Sequence, residues 1–368
     1  MKIVYYTDQV YLHGGIEKVL AQKLNYFSSF SNYELHLVTT EHKRKPYCYP
    51  ISNIVLHHDL EINYDRSKSY FNSVNFKKVP KHIKRLKAKL DEINPDVLIV
   101  CNYAFDFYFI PFISSGIKTI KEFHSSRYYY IKELPKASVF KKLLYRINNW
   151  IENKYSHIVI LNADEKKYYN SKHLEVIPNS IYKVKQKTEI NRVKYIIAAG
   201  RIAPVKQFDH LIKVWSLIAK NFPDWQVHIY GGGDILLSKK LDKLIKKQEV
   251  PNIYLKGETD ELSTKMQQAS IYALTSATEC FPMVLLESLA CGLPIISYNC
   301  PHGPSNIIKN GEDGILVEPD NIHAFSQELA KLIKNEELRL KMSKSALNNM
   351  KRFDEKIIMQ QWLNLFNK

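Results

Sequence analysis

The sequence predicts an α/β protein made of two doubly wound, mainly parallel sheets facing each other across a cleft. Three observations predict it. Short apolar, β-rich runs alternate with helix-length runs along the whole chain, as expected for parallel strands joined by crossover helices. The pattern is traversed twice, and a polar, weakly periodic stretch at 176–194 (VIPNSIYKVKQKTEINRVK) separates the halves as a linker. The 368 residues suffice for two ordinary cores. In such sheets ligands sit beyond the carboxyl ends of the strands.

In the first half KIVYYT reads as a strand, followed by a helix from Ile16 to about Phe30 and the strand YELHLVT. FKKVPKHIKRLKAKLDEINPDVLIVCN gives a basic helix, a Pro-marked turn and an apolar strand, and IKTIKEFH and SHIVILN add two more strands. The second half offers VKYIIAAG, WQVHIYG, NIYLKG, SIYALTS and LPIISYN, separated by helices such as FDHLIKVWSLIAKNF. No tandem repeat or low-complexity tract interrupts the scheme.

Five cysteines without a C-x-x-C pair argue against a disulfide framework and for a reducing compartment. MKIVYYTDQ enters a strand-like run without a leader h-region, and no run of about 18 apolar residues predicts a membrane span. The net charge is +16, with 27 Lys+Arg against 17 Asp+Glu (+10) in residues 1–180 and 26 against 20 (+6) in the rest. This balance favours anionic partners such as nucleic acid, acidic lipid or phosphorylated substrates, and is equally that of a soluble basic protein.

The chemistry-bearing motifs cluster at strand ends. TDQVYLHGGIEKVL places Gly14 and Gly15 between the first strand and first helix, where the backbone can approach a phosphate or simply turn. It is not G-x-G-x-x-G, so a dinucleotide site gains little support. AAGRIAPVKQFDHLI closes a strand with Gly200 and puts Arg201 and Lys206 in the loop before a helix. A guanidinium fork and a point charge at a helix start suit a diphosphate. IYGGGD, from Gly231, is another strand-to-turn glycine cluster.

The stretch ECFPMVLLESLACGLPIISYNCPHGP carries Glu279 and Glu287 eight residues apart. Spacing alone says nothing, since Glu328 and Glu336 repeat it. Context separates the pairs. Glu279 follows a strand in a loop, Pro282 suits the first helical position, and Gly292 with Pro294 ends the helix. Glu287 therefore lies in a nearly apolar helix, where a carboxylate needs a partner, and paired sugar hydroxyls are good donors to one. A lysine or backbone partner would satisfy it too. KEFHSSRYYY sets His124 at a strand end and Arg127 just beyond.

Taken together, GGIE at Gly14, GRIAPVKQFDHL at Gly200, YGGGD at Gly231, ATECFPMVLLESLACGLPIIS and CPHGPSNIIKNGEDGILVEPDN resemble the retaining glycosyltransferases of family four. The match is dense from about Ala198 to Asn321. It implies the GT-B fold, two facing Rossmann-like doubly wound domains: an acceptor domain over 1–178, a donor domain over 190–350, and a C-terminal helix at about 353–368 packing back on the first. Arg201 and Lys206 are then similar to the donor-diphosphate pair, Glu287 to the ribose-binding carboxylate, and Glu279 to the residue on the donor-sugar hydroxyls. The resemblance also implies that the backbone at Phe281, Pro282, Met283 and Val284 lines phosphate and sugar. Gly15, beside Gly14, would face the diphosphate and His124 the donor sugar; apart from the resemblance, Arg127, just past His124, is the candidate for the acceptor. Three residues depart from the family pattern: Cys280 and Gln207 stand where glycine is usual, and Asn306 where glutamate is.

The implied reaction moves a hexose (galactose, N-acetylgalactosamine or N-acetylglucosamine) from UDP to a glycan or lipid-diphosphate-linked acceptor in surface-polysaccharide synthesis, with retention. Arg201, Lys206 and helix N-termini stabilise the leaving diphosphate. No D-x-D triplet and no His/Cys cluster with ligand spacing is present, so the expectation is no cofactor and no metal. The basic segment from Phe76 to Leu90 and KASVFKKLLYRINNWIENKY suit an anionic membrane surface, placing the protein in the cytoplasm and peripherally on the inner membrane. Two other readings are a UDP-sugar epimerase of similar shape, disfavoured by the Arg/Lys and E-x7-E set, and a nucleic-acid binder, for which no recognition motif is present.

Overall fold

The computed structural model describes residues 1–102, 104–182 and 192–368, so part of the stretch read as a linker lies outside the described residues. The chain forms two compact units, Met1–Pro178 together with Met359–Lys368, and Asn179–Ile358.

The first unit runs β1 (Lys2–Thr7), α1 (Gly15–Phe27), β2 (Glu34–Thr39), β3 (Leu56–Asp59), α2 (Ser73–Phe76), α3 (Val79–Ile93), β4 (Val97–Val100), α4 (Asp106–Ile113), β5 (Lys118–Glu122), α5 (Tyr128–Glu133), α6 (Val139–Glu152), β6 (His157–Ile160) and β7 (Leu174–Val176). Its sheet is parallel throughout, in the order β3-β2-β1-β4-β5-β6-β7. The order reverses between β1 and β4, the switch point of a doubly wound fold. Strand residues of period two, among them Val4, Tyr6, Leu98 and Ile158, meet Leu86 and Leu90 of α3, Ile110 of α4 and Ile151 of α6 in one core. His82 of α3 is fully buried there, 2.6 Å from the Tyr6 hydroxyl and 2.9 Å from that of Tyr64. Burial pulls its pKa down to about 4.

The second unit runs β8 (Tyr195–Ala199), α7 (Phe208–Ile218), β9 (Gln226–Tyr230), α8 (Ile235–Lys247), β10 (Ile253–Gly257), α9 (Leu262–Gln268), β11 (Ile271–Leu274), α10 (Met283–Ala290), β12 (Ile295–Tyr298), α11 (Pro304–Ile307), β13 (Gly314–Val317), α12 (Ile322–Lys334) and α13 (Glu336–Asn349). This sheet is also parallel, ordered β10-β9-β8-β11-β12-β13, and its switch point falls between β8 and β11. Its core centres on Trp215, fully buried, whose indole N–H donates to the Pro251 carbonyl at 2.8 Å.

A last helix, α14 (Glu355–Asn367), returns the chain to the first unit's core. Trp362 and Phe366 are buried; Phe366 packs on Phe27 of α1, and its carbonyl accepts from Lys118. The Lys23 ammonium sits 3.8 Å over the Trp362 ring while pairing with the buried Glu122 carboxylate. Details at two ends differ from the sequence reading. α1 stops at Phe27, short of Phe30. Pro282 is the N-cap of α10, so Met283 is the first helical residue; the missing proline N–H costs nothing at either position.

Candidate functional site

In the second unit the sequence motifs gather on the two loops that leave the switch-point strands. After β8 comes Gly200, then Arg201, exposed, and Lys206, half-buried. After β11 come Thr275 and Glu279, then α10 with Glu287 buried in its middle at 8% exposure. Local chemistry welds the two loops together. The Thr275 hydroxyl donates to the carbonyls of Lys206 (3.2 Å) and Gln207 (3.0 Å), and the Ala277 N–H to Val205 O at 2.8 Å. Lys206 Nζ reaches Glu279 Oε1 at 2.6 Å across the gap, both side chains being mostly buried.

Glycines make the close approaches possible. A Cβ on Gly200 would stand 3.3 Å from Lys206 Cε, so the lysine lies across that glycine. Gly231 has φ +145° and a Cβ there would fall 1.9 Å from the Gly200 carbonyl oxygen, which fixes the β8 and β9 ends against each other. Gly303, unassigned from sequence, lets the chain pass Glu279: a Cβ there would be 2.6 Å from that of Glu279. Glu279 itself forms a parallel bridge with His302. Cys300 lies beneath; burial, with Glu279 adding, pushes its thiol up to about 12.

Tyr272 is a second residue that sequence reasoning missed. Its hydroxyl donates to Ala199 O at 3.0 Å, holding the end of β8. Burial raises the pKa of this fully buried phenol well above the usual range, and the charges of Glu287 and Glu279 push the same way. Its position one residue into a strand gave no signal beyond core packing.

The three departures each have a structural setting. Gln207 caps α7 in the left-handed region, φ +45°, which a glycine would occupy without strain; its amide donates to Asp320 at 3.0 Å. Cys280 is not among the residues with positive φ, so the backbone there accepts a side chain. The Asn306 amide donates to His302 O at 2.6 Å, fastening the short α11 beside the Glu279 bridge. Phe281, Pro282 and Met283 are buried and Val284 is half-buried. They bring the N-terminal end of α10, with its outward N–H groups, next to Glu279 in the chain. The Phe281 carbonyl accepts from Asn179.

The remaining sequence candidates lie in the first unit. Gly14 is the N-cap of α1 in extended conformation, where a Cβ would meet the Glu17 carboxylate at 2.2 Å; Gly15, the first helical residue, has open space. His124 follows β5 with Nε2 3.6 Å from Glu122 Oε1. Although no metal set is visible in the sequence, the fold gathers Cys101, Glu122 and His124 with ligand atoms within 4.8 Å of one another. Lys23 already supplies a cation there. Burial alone would raise the Glu122 carboxyl, but Lys23 and His124 override it and hold it far below the usual range. Arg127, expected at the acceptor, pairs both terminal guanidinium nitrogens with buried Glu152 and lies 3.8 Å over the Tyr169 ring. It still lines a cavity of about 200 Å3 with Tyr130, Tyr145 and Asn148.

Comparison with known proteins matches this anatomy. The model of the glycosyl transferases group 1 matches residues 181–349, and that of glycosyltransferase family 4 matches residues 13–182. An uncharacterized glycosyltransferase of Haemophilus influenzae is 28% identical over 371 residues, 98% of either chain. A poly(ribitol-phosphate) alpha-N-acetylglucosaminyltransferase of Staphylococcus aureus is 29% identical over 170 residues, 46% of this chain and 34% of that enzyme. The crystal structure of a mutant of S. aureus TarM with fondaparinux, alpha-GlcNAc-glycerol and UDP superposes over all of both chains, with a TM-score of 0.81 at 15% identity. That is a likeness of fold.

Proposed function

Because the chain belongs to the group 1, family 4 glycosyltransferases and has their GT-B fold, we propose that it transfers a hexose or N-acetylhexosamine from UDP to a cell-surface glycan acceptor with retention of configuration. It is a nucleotide-sugar-dependent glycosyltransferase; donor, acceptor and stereochemistry are the proposal. One observation carries it: the loops leaving the two strands that flank the second unit's switch point bear Arg201 and Lys206 on one side and Glu279 and α10 on the other. Ligands of doubly wound sheets bind at that place.

In this reading the donor diphosphate lies over Gly200, with Arg201 as the exposed fork and Lys206 as the point charge. Its approach breaks or shares the Lys206–Glu279 pair, freeing the Glu279 carboxylate to accept from sugar hydroxyls. Glu287, one turn further into α10, accepts from the ribose. As the glycosidic bond breaks, negative charge grows on the leaving phosphate, and the two cations and the first N–H groups of α10 stabilise it. Two side-chain cations suffice for that charge, so the proposed chemistry needs no metal. The leaving phosphate accepts the acceptor's proton. UDP and an N-acetylglucosamine-type donor are favoured by the N-acetylglucosaminyltransferase activity for which the S. aureus relative is named and by the UDP bound in the TarM crystal. His124 and Gly15 enter only through the family resemblance.

The test is a thermal-shift panel of UDP, GDP, ADP and their sugars on the wild type, Arg201→Ala and Glu287→Ala. A ligand that binds only the native state raises its melting temperature. Selective stabilisation by UDP compounds, lost in both folded variants, supports the reading; stabilisation by another nucleotide, or equal shifts in the variants, refutes it.

A further inference from the structure

We propose that the outer face of α6 is a docking surface for an anionic lipid bilayer. A surface helix normally turns its apolar stripe inward. α6 does so with Ile151, beside buried Asn148 and Glu152, yet it carries a second apolar stripe facing out. Val139 is 84% exposed, Phe140 72%, Leu143 52% and Trp150 54%, with Ile147 beside them. At 3.6 residues per turn these five positions fall within roughly 100° of arc. The stripe continues onto α4, where exposed Phe112 stacks on Trp150 at 5.8 Å.

Charge selects the occupant. Between Lys132 and Lys154 the chain has six Lys or Arg against Glu133 and Glu152, and Glu152 is buried against Arg127. Lys142 and Arg146, both exposed, fall along one border of the stripe, and Lys154 lies 5.1 Å over the Trp150 ring. α4 packs on α3 in the same layer, and α3 exposes Lys81, Lys84 and Lys87. Apolar residues a few ångströms deep, an indole at the rim and a cationic border describe an interfacial helix on acidic headgroups. A second copy seated on this face by two-fold symmetry would set cations against cations. The inference adds a partner to the enzyme proposed above and is independent of its donor.

The experiment is co-sedimentation with phosphatidylcholine vesicles, with and without phosphatidylglycerol, at low and high salt. The wild type is expected to bind only the phosphatidylglycerol vesicles, less at high salt because screening weakens the cationic border. Phe140→Glu with Leu143→Glu is expected to lower the partition coefficient at least about tenfold. Both sites are exposed, so the melting temperature and the shift produced by UDP should be retained. No binding by the wild type, unchanged binding by the double variant, or a wild-type dimer that the substitutions dissolve without any vesicle binding would each overturn the proposal. Loss of the UDP shift in the wild type itself would instead count against the donor reading alone.

Discussion

Replacing Gly231 by alanine puts the site's geometry under direct strain. The added methyl would lie 1.9 Å from the Gly200 carbonyl oxygen, whereas carbon and oxygen settle at about 3.3 Å, so one backbone must move by roughly 1.4 Å. Neither is loose: Gly200 N–H donates to Tyr230 O at 3.0 Å and Gly231 N–H to Gly257 O at 2.8 Å. The φ of +145° adds a conformational cost of about 1–3 kcal/mol for a residue with a side chain, and the overlap adds a similar amount. The second unit should lose about 2–6 kcal/mol in denaturant melts. If it still folds, displacement of Gly200 carries Arg201 with it, and an ångström of misplacement costs about 100-fold in function. UDP affinity by calorimetry is the assay. Gly116→Ala is the control, since its φ of +82° is strained but a Cβ there meets nothing within 4 Å. It should cost about 1 kcal/mol and leave UDP binding untouched. A Gly231→Ala protein that melts and binds UDP like the wild type would refute the argument that this glycine sets the position of the β8 loop.

Further predictions rest on single groups. Lys206→Met should cost about 1–3 kcal/mol by leaving Glu279 unpaired, and adding Glu279→Gln should restore stability but not UDP affinity, as measured by a double-mutant cycle. His82 has its pKa lowered by burial to about 4, so its neutral form stabilises the fold fully above about pH 6.5 and that stability, roughly 3 kcal/mol, is lost as pH falls toward 4. Urea melts between pH 7 and 4 should show this decline, and an unchanged midpoint would contradict it. Trp362→Ala should destabilise the first unit by about 3–5 kcal/mol, read as earlier loss of amide protection in α1 and β5 than in β8 and β11.

Among the described residues ten strands are legible in the sequence as apolar runs, such as KIVYYT and LPIISYN; nine of them lie inside their sheets, and the edge strand β10 is read because IYL is itself apolar and ends near a glycine. The three that were missed, β3, β7 and β13, are all sheet edges of three or four residues. An edge strand is half solvated, and LHHD or LEV carries no continuous apolar pattern, while GILV of β13 is apolar but only four residues long. Within the site, the charged residues and glycines that follow strands can be read directly, because strand ends are where doubly wound sheets bind ligands. Tyr272 and Gly303 cannot: one looks like any strand aromatic, the other like any turn glycine, and both acquire their meaning from contacts with residues far away in the chain. The same holds for Lys23 and Glu122, separated by 99 positions and joined only by the fold. Arg127 has a partner that the sequence does not show. A cation after a strand suggests a ligand, and a glutamate 25 residues on pairs with both of its terminal nitrogens while the side chain still lines the cavity.

The return of α14 reverses the usual order of maturation on the ribosome. Domains generally complete themselves in the order in which they are synthesised. Here the first unit lacks Trp362 and Phe366 until the residues after Ile358 emerge, whereas the second unit, contiguous from Asn179 to Ile358, has everything it needs earlier. The half that is translated first is therefore finished last. Until then the groove that receives the indole stays open, and the buried Lys23–Glu122 pair has no lid on that side. Nascent chains in which α14 has not yet cleared the ribosome should expose an apolar groove, floored by the Lys23–Glu122 pair, that holdase chaperones can recognise, and it should disappear once α14 emerges.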